Sequence, residues 1–269
     1  MNRLLRSPLP RLVQALGVNS VPVLGFVAAE WTQGTALALY WFENLLGALL
    51  VAARIALHRR WTRKRGHERP PQALADADTI RRARGKRPPA AVSDRRPGQS
   101  QTFLQGFLTT VLAFTFGHGV FLACILFLIL PQHGERMDPD ALALGVAAVG
   151  AFLLAGFAGD VVGLRQRPFA WVRRLTERTL GRVVLLHLAI IFGLFAMAKF
   201  GAPRHLFLVF AGLKTLADVG SVLPEREVPV EPPGWAKAGR DGEDFATYWR
   251  RTETEARAER AADEGVGPA

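Results

Sequence analysis

Apolar residues in this chain come in long blocks, and short polar or turn-forming stretches separate each block from the next. Six blocks stand out, at Leu12–Trp31, Thr35–Leu57, Phe107–Leu130, Ala141–Leu164, Val183–Phe200 and His205–Leu223. A membrane-spanning helix needs about 20 mainly apolar residues, because it rises about 1.5 Å per residue through a hydrocarbon layer about 30 Å thick. Each block is about that long. The pattern therefore predicts an all-α, polytopic membrane protein with about six transmembrane helices in one bundle. Turn residues mark the boundaries, as in "TQG" at 32–34, "PQHGERMDPD" at 131–140 and "GAPR" at 201–204. The first block follows Arg3, Arg6 and Arg11, as the core of a signal peptide would. Its apolar run is longer than such a core and "FVAAEW" is a poor cleavage site, so it counts as a span despite Asn19 and Pro22.

Composition alone hides this organisation. Hydrophobic residues make up 49% of the 269, an ordinary share for a soluble protein, and the formal net charge is +11. The charge sits in the connections, which argues against a continuous basic face for nucleic acid. His58–Gln101 carries 13 Lys and Arg against four acids, and Arg165–Arg182 carries six Arg against one Glu. The alternate connections hold only Arg136, Lys199 and Arg204. Basic loops stay in the cytoplasm, so both termini are expected there. The chain then divides into an arm with spans one and two (1–57), a basic cytoplasmic loop expected to be disordered (58–102), spans three to six (103–224) and a mostly disordered cytoplasmic tail (225–269). Within that tail, "EDFATYWRRTETEARAERAADE" has the pattern of one amphipathic helix. Arg59, Arg60, Arg63, Lys64 and Arg65 are candidate contacts for anionic lipid headgroups, at about 1 kcal/mol per basic residue near the surface. The single cysteine, Cys124, excludes a disulfide or a cysteine metal cluster within one chain.

The chemistry lies in polar residues inside the apolar blocks. An ionisable side chain near the bilayer centre costs about 2.5 to 3.5 kcal/mol or more, so each needs a partner or a wet cavity. From the helix rise, Glu43, His118 and Lys214 fall in one layer of the outer half, roughly 12 to 18 Å from the outer ends of their spans. Asp160, His187 and Asp218 form a second layer nearer the cytoplasm. Lys214 and Asp218 are four apart, hence on one helix face, and join the layers. Glu43 is expected to turn inward towards His118 or Lys214, while Asn44, about 100° round the helix, bonds another neighbour such as Asn19. The candidate ligand or ion site is thus Glu43, Asn44, His118, His187, Asp160, Lys214 and Asp218, with His118 and His187 as candidate metal ligands. Ala151, Ala155, Gly159 and Gly163 form a small-residue stripe that predicts a helix contact.

Four segments, "LYWFENLLG" (39–47), "FGHGVF" (116–121), "GRVVLLHLAII" (181–191) and "LKTLADVG" (213–220), together resemble a family of prokaryotic integral membrane proteins, domain of unknown function six-four-nine-eight. The resemblance covers Asn19 to about Glu225. Its motifs YW-x-EN, HG-x-F, GR-x-x-x-x-H and LK-x-x-x-D fall on Tyr40, Trp41, Glu43 and Asn44; on His118 and Gly119; on Gly181, Arg182 and His187; and on Lys214 and Asp218. It implies a prokaryotic cytoplasmic membrane and the same polar site, and it names no activity. Related sequences carry further histidines near HG-x-F and after the last Asp, where this chain has Phe114–Phe116 and Ser221–Val222, so a metal site built on those histidines is not implied.

Three functions remain open on the sequence. The first is an intramembrane site that binds or moves an ion, proton or small polar ligand. The second is a metal-dependent or redox enzyme within the membrane, although no HExxH, GxSxG or phosphate-binding glycine loop occurs. The third is a structural or partner-anchoring role, as a homo-oligomer or with another protein, in which the charges only hold helices together. No cofactor is indicated.

Overall fold

The computed structural model describes residues 9–69, 102–134, 136–182, 203–222 and 245–265. The described residues are helical nearly throughout. We label the helices α1 (Leu9–Ala28), α2 (Gln33–Thr62), α3 (Phe103–Cys124), α4 (Pro139–Val162), α5 (169–182), α6 (Pro203–Val222) and α7 (Phe245–Glu264). A π-helical turn at Ile125–Ile129 and a 3-10 turn at Leu130–His133 extend α3, and a further 3-10 turn follows α2 at Arg65–Glu68. Four helical stretches are long and apolar enough to cross a membrane: Leu9–Ala28, Gln33–Thr62, Phe103–Gln132 and Pro139–Val162. The expected fifth span, Val183–Phe200, and the loop 70–101 lie outside the described residues.

Local chemistry sets the helix ends. The Thr32 side chain accepts from Thr35 N at 3.2 Å and begins α2. Thr102 and Gln105 form a reciprocal capping box at the start of α3. The Asp138 carboxylate accepts from Asp140 N and Ala141 N at 2.9 and 3.1 Å, with Pro139 in the first turn of α4. Thr62 precedes Arg63 in the left-handed region, at φ 50°, which stops α2. The helix thus runs five residues past the expected end of span two.

Helix α2 is the hub, packed against α1, α3 and α4, and α1 packs in turn against α4 and α6. Its buried stripe runs through Ala36, Leu39, Tyr40, Glu43, Asn44, Ala48, Val51, Ala52 and Ile55, at helical spacing. Glu43 sits in the middle of it. One apolar cluster joins the lower part of that stripe to Phe103, Phe107 and Val111 of α3 and to Phe169 and Val172 of α5. Another joins Leu39 to Val18, Val149 and Leu153. Gly145 lets α4 approach α2, since a Cβ there would lie 2.8 Å from the Leu39 side chain.

The small-residue stripe on α4 does not make the contact expected of it. Ala151, Ala155 and Gly159 are exposed, and a Cβ on Gly159 or Gly163 would meet nothing within 4 Å among the described residues. The packed face of α4 runs instead through Gly145, Val149 and Leu153. Spacing alone identified a face, whereas the neighbours decide which face is used.

Large apolar side chains point outward. Phe116, Phe127 and Leu216 are 68 to 74% exposed, while Glu43, Asn19, Lys214, Asp218 and Arg54 are buried. This reverses the pattern of a protein folded against water.

Candidate functional site

The buried charges converge on Lys214. Its ammonium donates to Asn19 Oδ1, Glu43 Oε1 and Asp218 Oδ2, each at 2.9 Å, which uses all three of its N–H bonds. The Tyr40 ring lies beneath it, with Nζ 5.1 Å from the centroid. Asn19 ties the cluster together: its Nδ2 donates to Asp218 Oδ2 at 2.9 Å and to Ala15 O at 2.8 Å on its own helix. Arg182 reaches in from α5, with Nε 2.9 Å from Asp218 Oδ1 and Nη1 3.8 Å from Glu43 Oε1. Four helices therefore supply one knot of two cations, two carboxylates and an amide. Formal charges cancel within it, which is what allows Glu43 and Lys214 to be 1% and 3% exposed in side-chain terms.

The knot is not fully satisfied. Glu43 Oε2 is buried and accepts no hydrogen bond among the described residues. A buried acceptor left unmade costs about 1 to 3 kcal/mol, and more when charged.

Asp160 heads a second ion cluster. Arg11 Nη2 and Arg54 Nε each lie 3.1 Å from its two carboxylate oxygens, and the Arg54 guanidinium lies over the Phe157 ring. Glu43 and Arg54 are eleven residues apart on α2, so the two clusters are separated by about 16 Å along the helix. A cavity of about 380 Å³ runs between them, with Asn19, Glu43, Asp218 and Arg182 at one end and Arg11, Arg54 and Asp160 at the other.

Of the candidate residues named from the sequence, Glu43, Lys214 and Asp218 are brought together. Asp218 belongs with them rather than with Asp160, because the four-residue step on α6 carries both side chains to one Nζ. His118 is buried on α3, but among the described residues it is not a partner of Glu43 or Lys214. Trp41, not Glu43, faces that part of α3, where its indole donates to Thr115 O at 3.1 Å. Asn44 lines the cavity but donates to Tyr40 O on its own helix, not to Asn19. His187 lies outside the described residues. Among those described, no three His, Cys, Asp or Glu side chains converge as metal ligands.

Of the headgroup candidates, Arg59, Arg60, Arg63 and Arg65 are exposed, while Lys64 is drawn inward to Glu264 and to Arg167 O. Sequence reasoning gave Arg11 and Arg54 no place in the site, named Asn19 only as a neighbour for Asn44, and met Arg182 only within the GR-x-x-x-x-H motif. Asn19 had the same signal as Glu43, a polar residue within an apolar helix.

A third polar cluster closes the end of the molecule where α2 stops. His58 Nε2 lies 3.0 Å from Arg167 O, and His58 Nδ1 lies 2.7 Å from His67 Nε2. A carbonyl only accepts, so His58 carries its proton on Nε2 and His67 donates from Nε2. With both rings neutral, this chain of bonds fixes the tautomer of each. His67 is 1% exposed beside Phe103 and Phe169, and burial with nearby His58, Arg59 and Lys64 lowers its pKa to about 3. Onto this plug docks the end of α7. Glu264 pairs with Lys64 and accepts from Ala170 N at 3.1 Å, and Asp263 lies 3.2 Å from Arg69 and 3.6 Å from Arg173.

Against known proteins, a family model matches residues 1–234. The chain belongs to DUF6498, a family of unknown function. The match extends beyond the Asn19–Glu225 stretch that carries the motifs. It takes in every residue of the Lys214 knot and the Asp160 cluster, and it stops before α7. No curated protein and no solved structure matches the chain. Membership of DUF6498 brings no activity with it, so the chemistry has to be read from the site.

Proposed function

We propose that this is a six-span protein of a prokaryotic cytoplasmic membrane, with both termini in the cytoplasm, that binds or moves a proton, an ion or a small polar ligand at Glu43. One observation carries the reading. Glu43 lines the cavity and has a buried carboxylate oxygen, Oε2, with no donor among the described residues. A donor group of a ligand supplies the unmade bond, a proton on that oxygen removes the buried charge, and Lys214 and Arg182 hold the other oxygen in place. Exposed Arg59, Arg60, Arg63 and Arg65 support a second contact, with anionic headgroups at the cytoplasmic leaflet.

Two measurements on Glu43→Gln, Lys214→Met and their combination test this. If the charges only cement helices, each single change strands a partner and costs about 3 to 5 kcal/mol, and the double change recovers much of it. If Glu43 exchanges a proton or ligand donor, infrared difference spectra of the native protein show a protonated-carboxyl band that changes with pH and is lost in Glu43→Gln. Recovery of stability in the double variant, with no such band in the native protein, would overturn the reading.

A further inference from the structure

The docked end of α7 is held by ion pairs and hydrogen bonds. Asp263 lies 3.2 Å from Arg69 and 3.6 Å from Arg173, Glu264 pairs with Lys64 and accepts from Ala170 N, and Gly265 O accepts from Arg65 N at 2.8 Å. From Glu255 to Glu264 the only apolar residue type is alanine, so this half of α7 brings no large apolar side chain to the contact. Arg69, Glu264 and Lys64 keep 52, 31 and 20% of their side chains exposed. Ion pairs open to solvent hold weakly and are screened by salt. Such a contact can be undone without unfolding the helices beneath it.

What α7 holds is a wall of the cavity. Glu264 grips the amide of Ala170, and the next residue of α5, Trp171, lines the cavity with Arg167 and Arg174. The Arg11 and Arg167 guanidiniums lie over the Trp171 ring, 5.5 and 5.3 Å from its centroid, and Arg11 reaches on to Asp160 at 3.1 Å. A line of contacts thus runs from Glu264 through the first turn of α5 to the Asp160 cluster. The family match ends at residue 234, so the helix that fastens this wall lies beyond the stretch that carries the lining residues. We propose that α7 is a releasable latch on the cavity. Docked, it fixes α5 in place. Released, it lets the first turn of α5 shift and admits small solutes to the space between the two ion clusters. Asp263 and Glu264 are positioning residues, which act on the cavity through α5. The latch governs access and does not depend on what the cavity binds, so it stands or falls apart from the role proposed for Glu43.

The test reads access in the full chain, purified in an uncharged detergent. Cys124→Ser removes the native thiol, and Val51→Cys places one in the cavity lining on α2, at a residue 6% exposed. Iodoacetamide is small, polar and neutral, so salt does not alter its approach. Asp263→Asn with Glu264→Gln should raise the labelling rate of the introduced thiol at least about fivefold. Raising salt from about 0.01 to about 1 M shortens the screening length from about 30 to about 3 Å. That change should raise the rate in the chain with its native tail and add little in the paired variant. Glu253→Gln, at a carboxylate paired with Arg257 and Arg260 of α7 itself, should leave the rate within about twofold. Pulsed electron resonance between spin labels at Arg60 and Ala261, both exposed, reads the docking itself and should show a longer distance appear at high salt. If the paired variant does not fold, the salt series on the native tail decides. A latch that never releases, release without faster labelling, or an equal rise with Glu253→Gln overturns the proposal.

Discussion

Lys214 shows how a charge survives inside an apolar bundle: three donors meet three acceptors, and an aromatic ring covers the remaining side. His67 solves the opposite problem by staying neutral. Its pKa is lowered from 6.5 to about 3, so between those values the unfolded chain holds a proton that the folded chain lacks. Stability contributed by the plug is therefore complete above about pH 6.5 and declines as pH falls towards 3. Asp263 works the other way, since burial raises its pKa from 3.8. The His67 effect is best read in the upper range of that window, before carboxylates titrate. Thermal melts of the purified protein should show a falling Tm there that flattens in His67→Phe. An unchanged slope would remove His67 as the cause. At this scale the sequence was informative at Glu43, Lys214 and Asp218, polar residues that interrupt apolar runs. It was less so for Arg54, an arginine within span two that the depth argument left out, and for Arg182, which was counted with the basic connection 165–182 and otherwise met only in a motif.

Among the elements, α5 was the least legible. Its residues read as a basic connection because arginines at spacing four look, by count, like any positive loop. Their face becomes apparent only when Phe169 and Val172 are seen packed on α2 and α3. The α7 helix was visible as a pattern, but not its docking, because the ion pairs at Asp263 and Glu264 join segments about 90 to 200 residues apart. Glu264 caps the first turn of α5 through Ala170 N. Such a cap contributes about 0.5 to 2 kcal/mol. Glu264→Ala is expected to raise hydrogen exchange at residues 169–173 while leaving exchange along α2 unchanged. Equal exchange in the variant and the native chain would show that the contact does not hold α5.

At the scale of the whole molecule, the apolar exterior and charged interior of the described residues match what the proposed bilayer medium requires. Exposed Phe116, Phe127 and Leu216 are stable against acyl chains, and a buried ion cluster is tolerable when each charge is paired. The four helices long and apolar enough to cross a membrane were legible because length and apolarity are local properties. In the proposed topology both termini are cytoplasmic, as the charge rule expects. A cysteine introduced at Ser93, or at a site in the tail, should resist an impermeant thiol reagent in intact cells and react after lysis. Labelling from outside would refute the topology.

The first turn of α5 and the residues just before it are held from three distant regions of the chain. Arg11 lies over Trp171, Lys64 bonds Arg167 O, and Glu264 bonds Ala170 N. During synthesis the spanning helices can enter the bilayer one after another as they emerge. The wall that carries the arginines acquires its last fastening only when residue 264 has been made, about 80 residues after α5 itself. Until then α5 lacks the bond from Glu264 to Ala170 N. The complete fastening of α5 thus follows the synthesis of residue 264, well after the helices it packs against have been made.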